Sequence, residues 1–146
     1  MLSETLPEEI ARAIFLHVST ISNLKIYIDG QDRDTNKFPE FIEIRYDGPF
    51  LRASGKDSWL LEYDINLLVQ TEAGKNIYAI EKVCGKLYSK LAQDISIISS
   101  GSVIACSTLK TDFRQKLQIN RFGRIEPDVN ILQATVEARH EFNIEV

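Results

Sequence analysis

The sequence predicts an α+β domain in which a mainly antiparallel sheet carries two packed helices. Two stretches repeat apolar residues every three or four positions, as amphipathic helices do, and the other stretches alternate apolar and polar residues, as half-buried strands do. The strands follow one another in runs instead of alternating singly with helices, which disfavours a parallel βαβ fold. The predicted order is α-β-β-β-α-β-β-β in a single domain over residues 1–146, an ordinary size for one domain.

The first helix is predicted close to the amino end of the sequence. Thr5 and Glu8 have the spacing of a capping box, and Pro7 falls in the first turn, where its missing N–H is harmless. The apolar positions that follow have helical spacing: Ile10, Ile14, Val18 and Ile21. These residues should form the buried stripe of the helix.

Three strands are predicted between the helices. Residues 24–29 alternate up to Gly30, residues 41–46 alternate before Gly48-Pro49, and residues 59–70 form the strongest of the three patterns. The Gly48-Pro49 pair predicts a turn. The tracts 30–37 and 52–58 contain no core residue and are predicted to be polar loops.

A second helix is predicted over residues 76–95. Its apolar stripe is spaced by threes and fours: Ile77, Ile80, Cys84, Leu87, Leu91 and Ile95. Gly85 costs about 1 kcal/mol inside a helix, so a close neighbour is expected there. The "SSGS" tract at 99–102 should break the chain before two shorter strands at 103–106 and 114–120, and "FGRIEPD" should connect to the last strand.

The last strand is predicted from the alternation over residues 131–146. Even positions from Leu132 to Val146 are apolar apart from His140, and most odd positions are polar. Sixteen residues in a strand span about 50 Å, which is long for a domain of this size. We therefore expect part of this strand to project from the domain or to pair with a neighbouring subunit, which would protect an exposed edge.

Composition excludes several classes of protein. The net charge is −4 and the pI is about 5.2, so no basic stripe for nucleic acid is apparent. No apolar run reaches the roughly 18 residues that a membrane helix needs, and acids stand where a secretory leader carries bases. The two cysteines, Cys84 and Cys106, lie in apolar patterns and are predicted to be buried free thiols in a reducing compartment.

The sequence shows no motif for catalysis or for a cofactor. His17 and His140 are the two histidines, and no HxxxH, CxxC or HExxH spacing accompanies them, so His140 is predicted to be a partly buried, hydrogen-bonded residue. The tract "EAGKN" lacks the first glycine and the hydroxyl residue of a phosphate loop, and "QDRDTNK" lacks the Gly and Glu of a calcium loop. We therefore expect no enzyme, no metal and no cofactor.

The polar faces of the two long strands have two interpretations. The last strand projects Glu137, Arg139, Glu141 and Glu145 together, and the middle strand projects Glu62 and Asp64. Such a face could simply be solvated. Alternatively, it could line an opening shared by several subunits, where an acidic wall would let nucleic acid slide past without adhering.

The order of elements resembles the tail-terminator, or tail-completion, proteins of long-tailed bacteriophages. The resemblance covers the whole chain: a leading helix, "FPEFIEIRY" as an early strand after a polar loop, the Trp-led strand "WLLEYDINLLV", the helix "IYAIEKVCGKLYSKL" and a long closing strand. It is a resemblance of layout and contains no residue motif.

The resemblance implies a structural virion protein. Such a protein forms a homo-oligomeric ring, usually a hexamer, that joins the tail tube to the head connector while DNA passes through without specific binding. It would be made in the host cytoplasm and reside in the tail or neck of the virion. We name Glu62, Asp64, Glu137, Arg139 and Glu141 the lumen face. The two polar loops would contact the tube or the connector, through Asp32, Arg33, Asp34, Lys37, Arg52, Lys56 and Asp57.

Two alternatives stay open at this point. The chain could be another phage neck, connector or minor tail subunit with a similar α+β layout. It could instead be a small enzyme or ligand-binding module with an apolar site between helix and sheet, in which His140, Tyr63 and Trp59 would line the pocket.

Overall fold

The computed structural model describes residues 4–21, 24–33, 39–53, 58–72, 74, 78–99, 101–111, 116–124 and 131–145. They form an α+β domain, as predicted, with four strands instead of three after the second helix. The elements in chain order are α1 (Leu6–Ser19), β1 (Lys25–Ile28), β2 (Phe41–Ala53), β3 (Ser58–Glu72), α2 (Ala79–Leu91), β4 (Ser96–Ser99), β5 (Ser102–Lys110), β6 (Gln118–Arg124) and β7 (Ile131–Glu145).

The strands form one sheet with the order β1-β2-β3-β7-β5-β4, in which β6 also pairs with β7. Five of the six strand pairs described are antiparallel, and the pair β1–β2 is parallel. A parallel neighbour needs a return connection of about a dozen residues. The chain between Ile28 and Phe41 has that length, which is why two successive strands can run in the same direction here.

Strand β7 lies inside the sheet. It pairs with β3 along its whole length, from Ile131 opposite Glu72 to Glu145 opposite Ser58. Its other edge pairs with β6 over residues 132–137 and with β5 over residues 139–142. The expectation that this strand needs a neighbouring subunit for cover was therefore wrong, because its own chain covers most of both edges.

The short strand β4 was missed in the sequence. Its residues "SIIS" overlap the tract that predicted a break, and the actual turn is narrower, with Gly101 at φ +80. Strands β4 and β5 form an antiparallel hairpin around that turn, with Ser99 opposite Ser102. A four-residue strand carries too little alternation to stand out from a loop.

Gly48-Pro49 does not form a turn between strands, which corrects the sequence prediction. Strand β2 runs through both residues, and the register with β3 shifts between Asp47 and Phe50 as a bulge. Gly48 has φ +139, and a Cβ added there would lie 2.7 Å from the carbonyl oxygen of Glu62. Glycine is required at this position because a side chain would collide with the neighbouring strand.

The helices are shorter than predicted. The capping box is not formed: Thr5 Oγ1 donates to Glu9 Oε1 at 3.4 Å, and the N-cap makes no side-chain hydrogen bond to the backbone. Helix α2 covers 79–91 instead of 76–95. The close neighbour expected at Gly85 is absent from the described residues, because a Cβ added there would meet nothing within 4 Å.

Both helices lie on the same side of the sheet, where they bury the main hydrophobic core. Helix α2 contacts β3, β7 and β6, and α1 contacts β4 and α2. Tyr63 and Phe142 meet edge to face at the centre, with their ring centroids 5.9 Å apart. The largest fully buried side chains of the domain include Tyr63, Phe142, Ile10, Ile14, Ile42, Ile44, Ile65, Leu67, Leu87, Leu91 and Ile95.

The two cysteines have different environments. Both thiols are free, as predicted, and Cys84 is buried in the core under α2. Burial raises the pKa of the Cys84 thiol to about 11. Cys106 is exposed on β5, so the prediction that it is buried was wrong. It shares a face of β5 with the exposed Ile104, away from the helices.

Candidate functional site on the open face of the sheet

The sheet face opposite the helices carries most of the charged strand residues. We call it the open face, because no helix of the described residues contacts it. Period-two alternation places residues of β2, β3 and β7 on this face. They are Glu43, Arg45, Asp47, Glu62, Asp64, Asn66, Glu137, Arg139 and Glu141.

Arg139 connects the two longest strands of this face. It lies opposite Asp64 in the register, donates from Nη2 to Asp64 Oδ2 at 2.7 Å, and has Nη1 3.4 Å from Glu62 Oε2. The guanidinium also donates from Nε to Asp64 Oδ1, so the contact with Asp64 is bidentate. Paired hydrogen bonds between guanidinium and carboxylate are the strongest of the ordinary side-chain hydrogen bonds.

Glu62 is almost completely buried, with 5% of its surface exposed. Its other oxygen, Oε1, accepts from Arg52 Nη1 at 2.8 Å, and the hydrogen bond and charge of Glu62 raise the pKa of Arg52. Glu62 also lies directly opposite Glu141, a like-charged pair that would repel. Arg52 relieves this repulsion because its Nη1 lies 3.9 Å from Glu141 Oε1, and Lys110 Nζ lies 3.3 Å from Glu141 Oε2.

A second ion-pair cluster lies toward β1. Glu43 is 4% exposed and contacts Arg45 Nε at 2.6 Å and Arg33 Nε at 3.2 Å. The Arg33 guanidinium also lies over the ring of Phe41, 5.0 Å from its centroid. Phe41 belongs to a small apolar cluster with Tyr27 and Leu68. The open face is therefore not wholly polar at this edge.

Amide side chains form a third set of contacts across β3, β7 and β6. Asn66 donates to Glu137 Oε1 at 3.0 Å, and Gln118 donates to Glu137 Oε2 at 2.8 Å. Further along, Gln133 donates to Gln70 at 2.9 Å. Two buried oxygens of the open face, Asn66 Oδ1 and Glu141 Oε1, have no hydrogen-bond partner among the residues that the structure describes. The network is thus nearly but not fully satisfied from within the chain.

A groove with a volume of about 490 Å³ crosses the middle of the open face. Its charged and amide lining comprises Asp29, Arg45, Asp47, Asp64, Asn66, Lys116, Gln118, Glu137 and Arg139. Three cations and four carboxylates line it. The described part of the open face therefore carries both signs, mostly in ion pairs, with more carboxylates than cations.

The structure brings the five residues of the lumen face together, with Glu62 buried instead of facing water. Of the predicted loop contacts, Arg52 lies within β2 and pairs with Glu62 on the open face. Arg33 is held by Glu43, and Asp32 is exposed. The remaining loop residues lie outside the described residues: Asp34, Lys37, Lys56 and Asp57.

Sequence reasoning missed Glu43, Arg45, Lys110 and Gln118 as members of this network. Glu43 and Arg45 lie in an alternating tract that indicated a wet face, but the register that brings Lys110 to Glu141 and Gln118 to Glu137 is not visible in one strand at a time. Only pairing across the sheet shows which acid meets which base.

His140 is a structural residue on the opposite face. It is fully buried, and Nε2 donates to the carbonyl oxygen of Leu91 at 2.8 Å while Nδ1 lies 2.7 Å from Ser107 Oγ. Because a carbonyl can only accept, Nδ1 is the acceptor of the neutral ring, and the Ser107 hydroxyl donates to it. Ser107 Oγ in turn accepts from the N–H of Ile95 at 2.7 Å. Burial lowers the pKa of His140, in keeping with the neutral form.

The predicted alternative site between helix and sheet does not form around its three residues. His140 and Tyr63 are buried in the core, and burial raises the pKa of Tyr63 to about 12. A hollow of about 370 Å³ does lie on this side, between α1 and β4, but His140, Tyr63 and Trp59 do not line it. Among the described residues, no group of three His, Cys, Asp or Glu side chains is arranged to hold a metal ion.

Comparison with known proteins leaves the family open. No protein-family model matches the chain, and no curated protein matches it. One solved structure, of a protein whose name states no activity, has a TM-score of 0.51 at 12% identity, with 96% of each chain covered. At that identity the similarity shows a shared fold. Within the described part of the chain, no helix is long and apolar enough to cross a membrane.

Proposed function

We propose that the chain is a structural virion subunit, a tail terminator that assembles into a ring at the top of a phage tail and joins the tail tube to the head connector. The open face lines the passage for DNA. The observation that carries this proposal is the uncovered sheet face, on which charges of both signs are already paired with one another.

Paired charges suit a wall that DNA must pass without adhering. Affinity for DNA comes mainly from Lys and Arg side chains that neutralise phosphates and release counterions. Arg45, Arg52 and Arg139 each contact a carboxylate that is fixed beside them in the sheet. A phosphate would have to compete with that carboxylate, so the face offers DNA little net attraction.

The first test is the state of association. Light scattering and negative-stain imaging of the purified chain, alone and with tail-tube protein, should show rings with a central hole. A chain that stays monomeric under both conditions would contradict the proposal.

The second test reverses charge on the open face. Glu137→Lys combined with Glu141→Lys brings the net charge from −4 to 0 and makes the face basic. Assemblies of this variant should retain duplex DNA in a mobility-shift assay at low salt, whereas wild-type assemblies should not. The matched control is Glu4→Lys with Glu8→Lys, which makes the same change of charge at exposed positions at the start of α1. Equal retention by both variants would show that the open face does not meet the DNA.

A second candidate function is supported by one observation. Asn66 lines the groove, and within the described part of the chain its buried Oδ1 has no hydrogen-bond partner, so a small polar ligand that donates a hydrogen bond could occupy this site. The chain would then be a ligand-binding module. A thermal-shift screen against metals and common metabolites tests this idea, because a ligand that binds the native state raises its stability. The same shift in an Asn66→Leu variant would place that ligand elsewhere.

A further inference from the structure

The outer side of helix α2 carries a row of lysines. Lys82, Lys86 and Lys90 recur every four residues, so their side chains follow one another on successive turns. Lys82 and Lys86 are exposed, and Lys90 is partly buried. We call these three residues the lysine row. It lies away from the buried stripe with which α2 packs on the sheet.

The charges of the lysine row are unpaired. Most arginine and lysine side chains of the described chain contact a carboxylate, but the lysine row takes part in none of the ion pairs between described residues. The one acid of α2, Glu81, is occupied by Arg121 of β6, which donates from Nη2 to Oε2 at 2.6 Å and from Nε to Oε1. Helix α2 therefore presents a local excess of positive charge in a chain whose net charge is −4.

The helix would be more stable with other residues at these positions. Like charges four residues apart repel one another on a helix, and Lys86 meets this repulsion from both Lys82 and Lys90. Lys90 at least suits the negative carboxyl end of α2, whereas Lys82 near the amino end does not. Gly85 beside the row also disfavours the helix, and a Cβ added there would meet nothing within 4 Å. A negatively charged partner that lies close to the helix would account for both features.

Carboxylates of a protein suit the lysine row better than the phosphates of DNA do. Lysines four residues apart are separated by about 6 Å along a helix, and acids at every fourth position of a helix or every second position of a strand repeat at about 6–7 Å. Proteins that bind DNA tightly neutralise more phosphates, commonly about 6–10, than three lysines can. The net charge of −4 also repels a duplex.

We propose that the lysine row on α2 is an electrostatic docking surface for an acidic segment of a partner protein. Exposed ion pairs each contribute little affinity, so the row mainly speeds and orients the encounter. The inference goes beyond the proposed function and does not rest on it. Helix α2 packs on the covered side of the sheet, whereas the passage for DNA is assigned to the open face.

A titration of the purified chain with an octaglutamate peptide, followed by amide NMR shifts, tests the surface. At low salt the shifts should be concentrated in residues 79–93. They should vanish as added salt shortens the screening length, because the contact is electrostatic. Shifts of equal size around the lysines of other elements, Lys25, Lys110 and Lys116, would overturn the proposal, since the row would then be an ordinary solvated surface.

A single charge reversal separates binding from folding. Lys86→Glu should weaken the affinity for octaglutamate fivefold or more. It should also raise the melting temperature of the subunit, because it replaces two repulsive pairs on the helix by two attractive ones. The matched control is Lys116→Glu, which makes the same change of charge at another exposed lysine and should alter the affinity less than twofold. Equal weakening by both variants would overturn the proposal, and higher stability with weaker binding in Lys86→Glu excludes misfolding as the cause.

A parallel titration with a short DNA duplex distinguishes the two kinds of polyanion. The wild-type chain should bind the duplex no more tightly than it binds octaglutamate. Tighter binding of DNA that Lys86→Glu abolishes would overturn the acidic protein partner in favour of nucleic acid. None of these results depends on ring formation, which light scattering measures separately, so this inference and the proposed function can fail independently.

Discussion

The two faces of the sheet differ in how they achieve burial. The helix-covered face excludes water with aliphatic and aromatic side chains, such as Tyr63 and Phe142. The open face has no helix on it in the described chain, yet Glu43 and Glu62 are about as buried as many core residues. Long charged side chains cover them and pair with them.

Burial contributes to stability in different ways on the two faces. On the helix side, buried area contributes through the hydrophobic effect. On the open face, each buried acid costs desolvation energy that its arginine partners offset. Because Arg52 and Arg139 keep part of their surface in water, these pairs fix the register of the sheet more than they add to its stability.

The largest expected loss of stability comes from a core substitution on the helix-covered face. Phe142→Ala should lower the free energy of unfolding by about 3–5 kcal/mol, because it removes an aromatic ring from the centre of the core. Urea denaturation measures the loss. Phe50→Ala is the matched control: its ring is half-exposed on the open face, and we expect a loss below about 1 kcal/mol. Equal losses would mean that the two faces are buried alike.

The next largest loss of stability is expected from removing ion pairs on the open face. Arg139→Met alone should cost about 1 kcal/mol, and Arg52→Met alone should cost less than Arg139→Met, because Glu62 keeps the other arginine in each case. The double variant should lose more than the sum of the two single losses, because it leaves a buried carboxylate without a cation. Arg12→Met, which removes an exposed pair with Glu8, should cost less than about 0.5 kcal/mol. Strict additivity in urea denaturation would contradict a shared network at Glu62.

The smallest effect is the pH dependence of stability that His140 gives to the helix-covered face. The pKa of His140 is lowered from 6.5, chiefly by burial and also by the charge of His17, while the bond to Leu91 and the charge of Asp94 oppose this. The unfolded chain therefore binds a proton at a higher pH than the folded chain does. Stability from the neutral ring is complete above the unfolded pKa and decreases as pH falls below about 6.5, by at most about 1.4 kcal/mol per pH unit.

The measurement is urea denaturation between pH 7.5 and pH 5. His140→Gln can keep both hydrogen bonds but does not titrate, so its stability should depend less on pH in this range. His17→Gln leaves the His140 contacts in place and removes only the smaller contribution of the His17 charge, so it should change the slope less than His140→Gln does. Identical slopes in wild type and His140→Gln would show that His140 does not charge on unfolding.

The local spacing of apolar residues was enough to predict the fold class. Alternation predicted the two long strands, and spacing by threes and fours predicted the two helices. This local information also separated core from polar residues, since the period-two pattern matches the burial observed in β7 over residues 136–142. It placed the five residues of the lumen face on one surface, because all of them lie on strands with strong patterns.

Local patterns failed where the decision depended on neighbours. Gly48-Pro49 has the residues of a turn, yet β2 continues through it because β3 supplies pairing on both sides of the bulge. The chain alone suggested an unprotected last strand, but β3, β5 and β6 arrive from distant parts of the sequence to cover it.

The sequence by itself determined which residues are apolar or charged and in what period, and hence the fold class. Tertiary structure alone decided which charges meet: Arg52 reaches Glu62 across one strand pair, and Arg139 reaches it across another. The physical reason is that strand alternation is set within a few residues, whereas an ion pair across the sheet depends on the register between two strands. The open face is therefore a network of paired charges.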